Sequence, residues 1–143
     1  MTNHAPSDAE ITKILTETRV IALVGWSPQP DRPSNSVARY LKACGYRVIP
    51  VNPGQAGQDS GLGEVVRAFL SDIDEEVDMI DIFRQSEKVM AVVEDALRAF
   101  PNLKTVWMQL GVVNQAAADL ARARGVQVVM DRCPAIEIPR LGL

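Results

Sequence analysis

Five short apolar segments alternate with segments of helical periodicity, and this alternation restricts the possible folds more than any other feature of the sequence. The first segment, Val20–Val24, is an unbroken apolar run that ends at Gly25, which is typical of a strand buried on both faces. The other predicted strands are residues 46–49, 77–83, 105–108 and 126–130. Strands that alternate with helices form a parallel sheet with helices on both faces, so the predicted fold class is α/β.

The connections between these strands restrict the topology further. Because crossovers between parallel strands are right-handed in about 98% of cases, the favoured arrangement is a Rossmann-type open sheet of about five strands in the order 3-2-1-4-5. No linker, repeat or charge block interrupts the alternation, so residues 1–143 are predicted to form a single domain. Residues 54–63, which include four glycines, are predicted to be a flexible loop, and 64–76 either a short helix or an irregular extended stretch.

Composition and charge exclude several classes of protein. There is no run of ~18 apolar residues and no signal-peptide pattern, so the sequence predicts no membrane span. A net charge of −3 disfavours nucleic-acid binding. Two cysteines do not make a disulfide framework, so a cytoplasmic protein is expected. The expected oligomeric state is a monomer or a homodimer. The only histidine, His4, lies near the N-terminus, which disfavours mechanisms that need a buried imidazole.

The residues that follow the first strand suit a phosphate or pyrophosphate. In open α/β sheets, ligands bind outside the carboxyl ends of the strands, where the strand order reverses. There Gly25 allows close backbone approach, Ser27 offers a hydroxyl and Arg32 offers a planar fork of donors. A helix capped by Ser34 or Ser36 then supplies free N–H groups and a partial positive charge. The alternative interpretation is a simple turn with a solvated arginine.

The nucleotide pattern is not that of an NAD site. Only the first glycine of G-x-G-x-x-G is present, and the second strand ends in Val51-Asn52-Pro53, without the carboxylate that holds a ribose 2′-hydroxyl. An asparagine at this position does not repel a phosphorylated ribose. The sequence therefore disfavours NAD and leaves NADP or coenzyme A (CoA).

Further candidates follow the third and fourth strands. Arg84, after Phe83, fits a second phosphate contact, with solvent or Glu87 as its alternative partner. Gln109 is expected to hydrogen-bond a ligand amide, and Gly111 allows close backbone approach.

Cysteine and aspartate positions give two more expectations. Cys133 follows the fifth strand, where it is either a thiolate favoured by the adjacent Arg132 or, more commonly for such a position, a buried inert thiol. Cys44 is expected at the opposite edge of the sheet, which excludes a disulfide between the two cysteines. Asp78 and Asp81 are three residues apart in one strand, so they face opposite sides and are not an acid–base pair. One of them is expected to charge an edge strand against aggregation.

Five segments in order resemble the small stand-alone CoA-binding proteins, which are similar to the CoA-binding domain of the succinyl-CoA synthetase α subunit. The segments are Val24–Ser27 with Arg32-Pro33, Gly45–Pro53, Val77–Arg84, Trp107–Gly111 and Val129–Cys133. The resemblance covers residues 19–138 and implies a Rossmann-type fold.

The resemblance implies that Gly25, Ser27 and Arg32 contact CoA phosphates, that Asn52 and Pro53 lie beside the adenosine, and that Phe83 and Arg84 line the same crevice. Trp26 departs from the small residue expected there and is predicted to narrow the pocket mouth or to offer a stacking face. The complete candidate site is Gly25, Trp26, Ser27, Arg32, Pro33, Ser34, Val51, Asn52, Pro53, Phe83, Arg84, Gln109 and Gly111.

The predicted function is binding of CoA or an acyl-CoA at the carboxyl ends of the strands, without catalytic or metal-ligating residues. The synthetase reaction is not carried over, because it needs a histidine that His4 does not supply. One alternative is an NADP-dependent oxidoreductase. Another is a CoA-linked redox regulator in which Cys133 forms a mixed disulfide with the CoA thiol.

Overall fold

The computed structural model describes residues 5–143, so His4 lies outside the described residues. The strands are Val20–Val24 (β1), Arg47–Val51 (β2), Met79–Ile82 (β3), Thr105–Met108 (β4) and Gln127–Val129 (β5). The helices are Asp8–Glu17 (α1), Pro33–Ala43 (α2), Val89–Ala99 (α3), Gln115–Ala123 (α4) and Pro134–Arg140 (α5). Short 3₁₀ turns occupy Pro53–Gln55, Leu70–Asp72 and Ser86–Lys88. In the part of the chain described here, no helix has the length and apolar character needed to cross a bilayer.

The five strands form one parallel sheet, which confirms the α/β, Rossmann-like class. The observed order is β2-β1-β3-β4-β5, so the predicted order 3-2-1-4-5 is wrong. All four residues of β3 are buried, and the strand pairs with β1 on one side and β4 on the other. Its three apolar residues gain most from this central position, because the strand is then covered on every side, although the same position buries Asp81.

The outer position next to β2 is taken by a shorter stretch. Arg67 forms an isolated parallel bridge with Val51, through hydrogen bonds from Asn52 N to Arg67 O (2.9 Å) and from Arg67 N to Pro50 O (3.0 Å). Residues 64–76 therefore combine both predicted alternatives, with an irregular extended stretch around Arg67 followed by the short 3₁₀ turn Leu70–Asp72. The loop predicted to be flexible is bonded to this stretch, because Gly57 N donates to Val66 O at 2.9 Å.

Two apolar cores lie on the two faces of the sheet. One core joins β3 residues such as Ile80 and Ile82 to helices α3 and α4. The other packs Met79 and Trp107 beneath helices α1, α2 and α5. The second core fixes α2 on the sheet, and α2 is the helix whose N-terminus faces the predicted ligand.

Helix α2 begins in a different way from the prediction. Its N-cap is Arg32, Pro33 occupies the first turn, and no side chain caps it. Proline suits this position because its fixed φ angle matches the helix and its missing N–H needs no partner there. Neither Ser34 nor Ser36 is the cap, and within residues 5–143 no side chain caps the amide groups of the first turn, although Asn35 N and Ser36 N donate to Arg32 O at 3.0 and 3.1 Å.

The two aspartates of the third strand segment, Asp78 and Asp81, differ in their burial and hydrogen bonding. Asp78 Oδ2 accepts hydrogen bonds from the backbone N–H groups of Arg19 (3.0 Å) and Val20 (2.9 Å). Asp81 is fully buried, and neither of its carboxyl oxygens has a partner within residues 5–143. This burial raises the pKa of Asp81 well above its ordinary value. The expectation that one of them protects an edge strand is wrong, because β3 lies in the middle of the sheet.

Candidate functional site

A cavity of about 580 Å³ opens at the carboxyl ends of the strands and is called the first cavity below. It lies within the usual size range of small-molecule sites. Its walls come from the loops after β1, β3 and β4, together with the start of α2 and Cys133. The predicted site residues that line it are Gly25, Ser27, Arg32, Pro33, Ser34, Phe83, Arg84 and Gln109. Sequence reasoning missed Gln29, Val37, Gln85, Leu110 and Val112, which line it as well.

Gly25 keeps the cavity open at the end of β1. Its φ angle is +91°, and a Cβ atom built on it would lie 2.3 Å from the carbonyl oxygen of Phe83. Side chains rarely adopt this backbone conformation, and 2.3 Å is far inside van der Waals contact. Only glycine therefore allows the loops after β1 and β3 to approach each other this closely.

The loop between β1 and α2 is held by side chains that donate to its carbonyl groups. Asn52 Nδ2 donates to Trp26 O at 2.6 Å, and Asn35 Nδ2 donates to Ser27 O at 2.9 Å. Arg39 donates to Pro30 O at 3.1 Å and to Asn35 Oδ1 at 2.8 Å. The loop is thus fixed before a ligand arrives, which lowers the entropy lost on binding.

Two guanidinium groups at the first cavity carry uncompensated charge. Arg32 is exposed, and its Nε donates only to Gln29 Oε1, at 3.5 Å. Arg84 is half-buried, and no hydrogen bond or ion pair of its side chain is found within residues 5–143, which excludes Glu87 as its partner there. Together with the uncapped start of α2, these two cations make the mouth of the first cavity electropositive.

The far side of the first cavity is less polar and holds an unused acceptor. Gln109 is only 5% exposed, and its Oε1 atom has no hydrogen-bond partner among the described residues. Buried amide oxygens are nearly always bonded, so an unpaired one at a cavity wall marks a place for a ligand donor. Cys133, also 5% exposed, lies on the same wall.

The remaining predicted residues do not line the first cavity. Trp26 is 2% exposed and packs in the core, so it has no free face for stacking. Val51 is buried in the sheet, and Pro53 is exposed. The amide of Asn52 is occupied on both sides, since its Oδ1 accepts from Gly54 N at 2.9 Å. Gly111 N donates to Asp131 Oδ1 at 2.7 Å, which ties the loops after β4 and β5 together.

The two cysteines differ in exposure and are not joined to each other. Cys44 is exposed and Cys133 is buried, and both are free thiols, as predicted. Within residues 5–143, no three His, Cys, Asp or Glu side chains come together in a way that could hold a metal ion.

Comparison with known proteins agrees with this geometry. Residues 19–139 match the family model described as the CoA binding domain. The chain is 38% identical over 128 residues to the uncharacterized protein YneT of Bacillus subtilis, with 90% of this chain and 91% of YneT covered.

Solved structures of similar proteins extend the comparison. A Thermus thermophilus protein is 35% identical, with a TM-score of 0.89 over 95% of this chain and 99% of that one. A dinucleotide-forming acetyl-coenzyme A synthetase from Ca. Korarchaeum cryptofilum is 25% identical, with a TM-score of 0.64 over 76% of this chain and 25% of the synthetase. Since the family model covers nearly the whole chain, this protein belongs to the CoA-binding domain family.

Proposed function

We propose that this protein binds CoA or an acyl-CoA in the first cavity and holds it without transforming it. One observation carries the proposal: Arg32 and Arg84, without carboxylate partners among the described residues, flank the uncapped start of α2 at a cavity that Gly25 keeps open. Arginine binds phosphate oxygens through paired donors, and a helix N-terminus adds its amide groups and partial charge. CoA supplies phosphates for both elements, and the family of the chain supports this ligand.

The order of the strands in the sheet indicates how the bound ligand is oriented, from its adenosine at β2 to its pantetheine arm at β4. We place the adenosine beside Asn52 and Pro53, and the phosphates near Ser27, Arg32 and Arg84. From β1 across β3 to β4 the sheet spans two strand spacings, about 10 Å. The pantetheine arm then crosses this distance toward Gln109, whose unpaired oxygen accepts one of the amide N–H groups of the arm.

The chemistry of the first cavity favours binding over catalysis. Its titratable lining side chains are Arg32, Arg84 and Cys133. Arginine stays protonated in proteins and does not act as a proton acceptor. The walls described here therefore supply charge and shape but lack a carboxylate or imidazole base.

Calorimetric titration with CoA, dephospho-CoA and NADPH tests the proposal. Replacing Arg32 or Arg84 by Ala is expected to weaken CoA binding by about 1.5–3 kcal/mol each, because each loses charged hydrogen bonds to phosphate. Arg124→Ala changes an exposed arginine that does not line the first cavity, so it is the matched control and should bind as the wild type does. Absence of binding to both CoA forms would refute the proposal, and binding of NADPH alone would favour an oxidoreductase.

A second candidate function is supported by the position of Cys133, whose thiol lines the first cavity on the same side as Gln109. The Cys133 thiolate would attack one sulfur of CoA disulfide, forming a protein–CoA disulfide and releasing a CoA thiolate that takes up a proton. No further oxidant is needed. Peptide mass mapping after treatment with CoA disulfide or oxidised glutathione tests this function, with exposed Cys44 as the control thiol in the same chain. Selective modification of Cys133 by CoA disulfide would support it, and equal modification of both cysteines by both reagents would refute it.

A further inference from the structure

A second cavity, of about 530 Å³, adjoins the first and shares Leu110 and Cys133 with it. Its walls come from the segment before α1, the loop between β4 and α4, and the start of α5. The apolar side chains Val113, Met130 and Ile136 line it. The two cavities are therefore neighbours that share part of their walls.

The second cavity exposes large apolar side chains. Leu110 is 54% exposed, Val113 49% and Ile136 50%. A single exposed apolar residue is ordinary, but three around one concavity, rimmed by polar groups, are typical of a binding surface. The first cavity does not explain this surface, because neither Val113 nor Ile136 lines it.

The charged groups of the second cavity are already paired. Arg132 contacts Glu137 Oε1 at 3.2 Å, and Glu137 also accepts a hydrogen bond from Arg140 at 2.7 Å. Asp131 Oδ1 accepts a hydrogen bond from Gly111 N. Among the described residues, the second cavity thus offers no unpaired cation for a phosphate or a carboxylate, because Arg132 is already bound to Glu137. An uncharged apolar group suits it best.

We propose that the second cavity holds the acyl group of an acyl-CoA, and that this acyl group is uncharged and apolar. The inference rests on the proposed function, because the CoA portion must occupy the first cavity. Gln109 provides the link: its buried, unpaired Oε1 fixes a pantetheine amide immediately before Leu110, where the two cavities meet. The thioester then lies at the shared wall, and the acyl chain continues past Val113 and Ile136.

Calorimetric titration with CoA, acetyl-CoA, hexanoyl-CoA and succinyl-CoA tests the inference. Each buried methylene contributes up to about fourfold in affinity. Hexanoyl-CoA should therefore bind at least about tenfold more tightly than acetyl-CoA. Succinyl-CoA should gain nothing over CoA, because its carboxylate would lose water beside Asp131 and find no unpaired cation among the described lining residues.

Two variants locate the effect. Ile136→Asp should remove the hexanoyl gain and leave the affinity for free CoA unchanged, and Val113→Ser should reduce the gain with less risk to the fold. Val65→Asp changes an equally exposed apolar residue (52%) that lines neither cavity, and it should behave as the wild type does.

The outcomes separate the inference from the proposed function. Binding of CoA with no preference for hexanoyl-CoA would overturn the acyl site and leave CoA binding intact. Absence of binding to every ligand would overturn the proposed function itself. A wild-type dimer in sedimentation that Ile136→Asp converts to a monomer, with no change in acyl affinity, would assign the apolar surface to contact between copies and overturn the inference.

Discussion

The amino ends of the strands (the amino edge) and their carboxyl ends (the carboxyl edge) differ in whether their charged side chains have partners. At the amino edge, Arg47 contacts Glu64 at 2.8 Å and Glu75 at 3.2 Å. The hydrogen bond from Arg47 lowers the pKa of Glu64, which also accepts from Arg67. Asp78 at this edge accepts two backbone hydrogen bonds. Polar groups at the amino edge thus find partners within the chain.

The carboxyl edge leaves comparable groups without partners in the described structure. Arg32 and Arg84 have no carboxylate, and the buried oxygen of Gln109 has no donor. The buried oxygen of Gln109 costs free energy in the folded state unless a donor reaches it, and exceptions of this kind are expected at functional sites. The difference teaches that the amino edge stabilises the fold, whereas the carboxyl edge is arranged for a ligand.

Gly25→Ala is expected to have the largest effect on both stability and CoA binding at the carboxyl edge. The new Cβ would collide with Phe83 O at a positive φ angle, so the loops after β1 and β3 must separate. We expect a loss of about 3 kcal/mol or more in the free energy of unfolding, together with loss of CoA binding. Urea denaturation and calorimetry measure the two effects.

Gly45→Ala is the control for Gly25→Ala. Gly45 has a comparable φ angle of +103° but nothing within 4 Å of the built Cβ, so alanine there should strain the backbone without closing the first cavity. Equal effects of both changes on CoA affinity would contradict this account of Gly25.

Asp81→Asn tests the buried carboxyl between the two edges. Because burial raises the pKa of Asp81, the folded state binds more protons than the unfolded state above about pH 3.9. Wild-type stability should therefore fall as pH rises through the window above that value, by up to about 1.4 kcal/mol per pH unit. The variant should lose this slope and be more stable than the wild type at pH 7, as measured by urea denaturation between pH 4 and 8.

Asp78→Ala is the matched control for Asp81→Asn at the amino edge. It removes the acceptor of two backbone N–H groups, so it should destabilise the fold by about 1–3 kcal/mol. A pH slope in Asp81→Asn equal to that of the wild type would show that the buried carboxyl does not set the slope.

Lys104→Ala gives the smallest expected effect. Lys104 Nζ lies 3.8 Å from Asp78 Oδ1, and its side chain is 62% exposed. Exposed ion pairs contribute little, so the free energy of unfolding should change by less than about 0.5 kcal/mol and CoA affinity should not change. A larger loss of stability would mean that the amino edge depends on its ion pairs more than the geometry indicates.

The sequence predicts the fold class because short, mostly apolar segments such as Val20–Val24 alternate with segments of helical periodicity. It does not predict the strand order, because the element beside β2 is a bridge at the single residue Arg67, which has no periodicity to detect. Ligands bind at the carboxyl ends of parallel strands, and this rule predicts that Gly25, Arg32 and Arg84 lie together. The structure places all three at one cavity. Whether they bind CoA there stays a prediction.

Two side chains of the candidate site have structural contacts that the sequence does not predict. The amide of Asn52 holds the loop before α2, and Trp26 turns inward to the core. Asn35 and Arg39 give no signal in the sequence, because their function depends on the loop carbonyls to which they donate. Hydrogen bonds between distant backbone and side-chain atoms are set by the folded geometry, not by local pattern.

The contact between α1 and α5 has a consequence for the order in which the two cavities form. Arg140 on α5 bonds to Asp8 on α1 at 2.7 Å, across 132 residues of sequence. Closing so long a loop is slow, because its entropy is lost before the contact is gained. The first cavity needs only loops between neighbouring strands and the start of α2 for most of its walls. We therefore predict that the wall that carries Ile136 forms later than the first cavity during folding, and that its amides exchange with solvent before those of the first cavity.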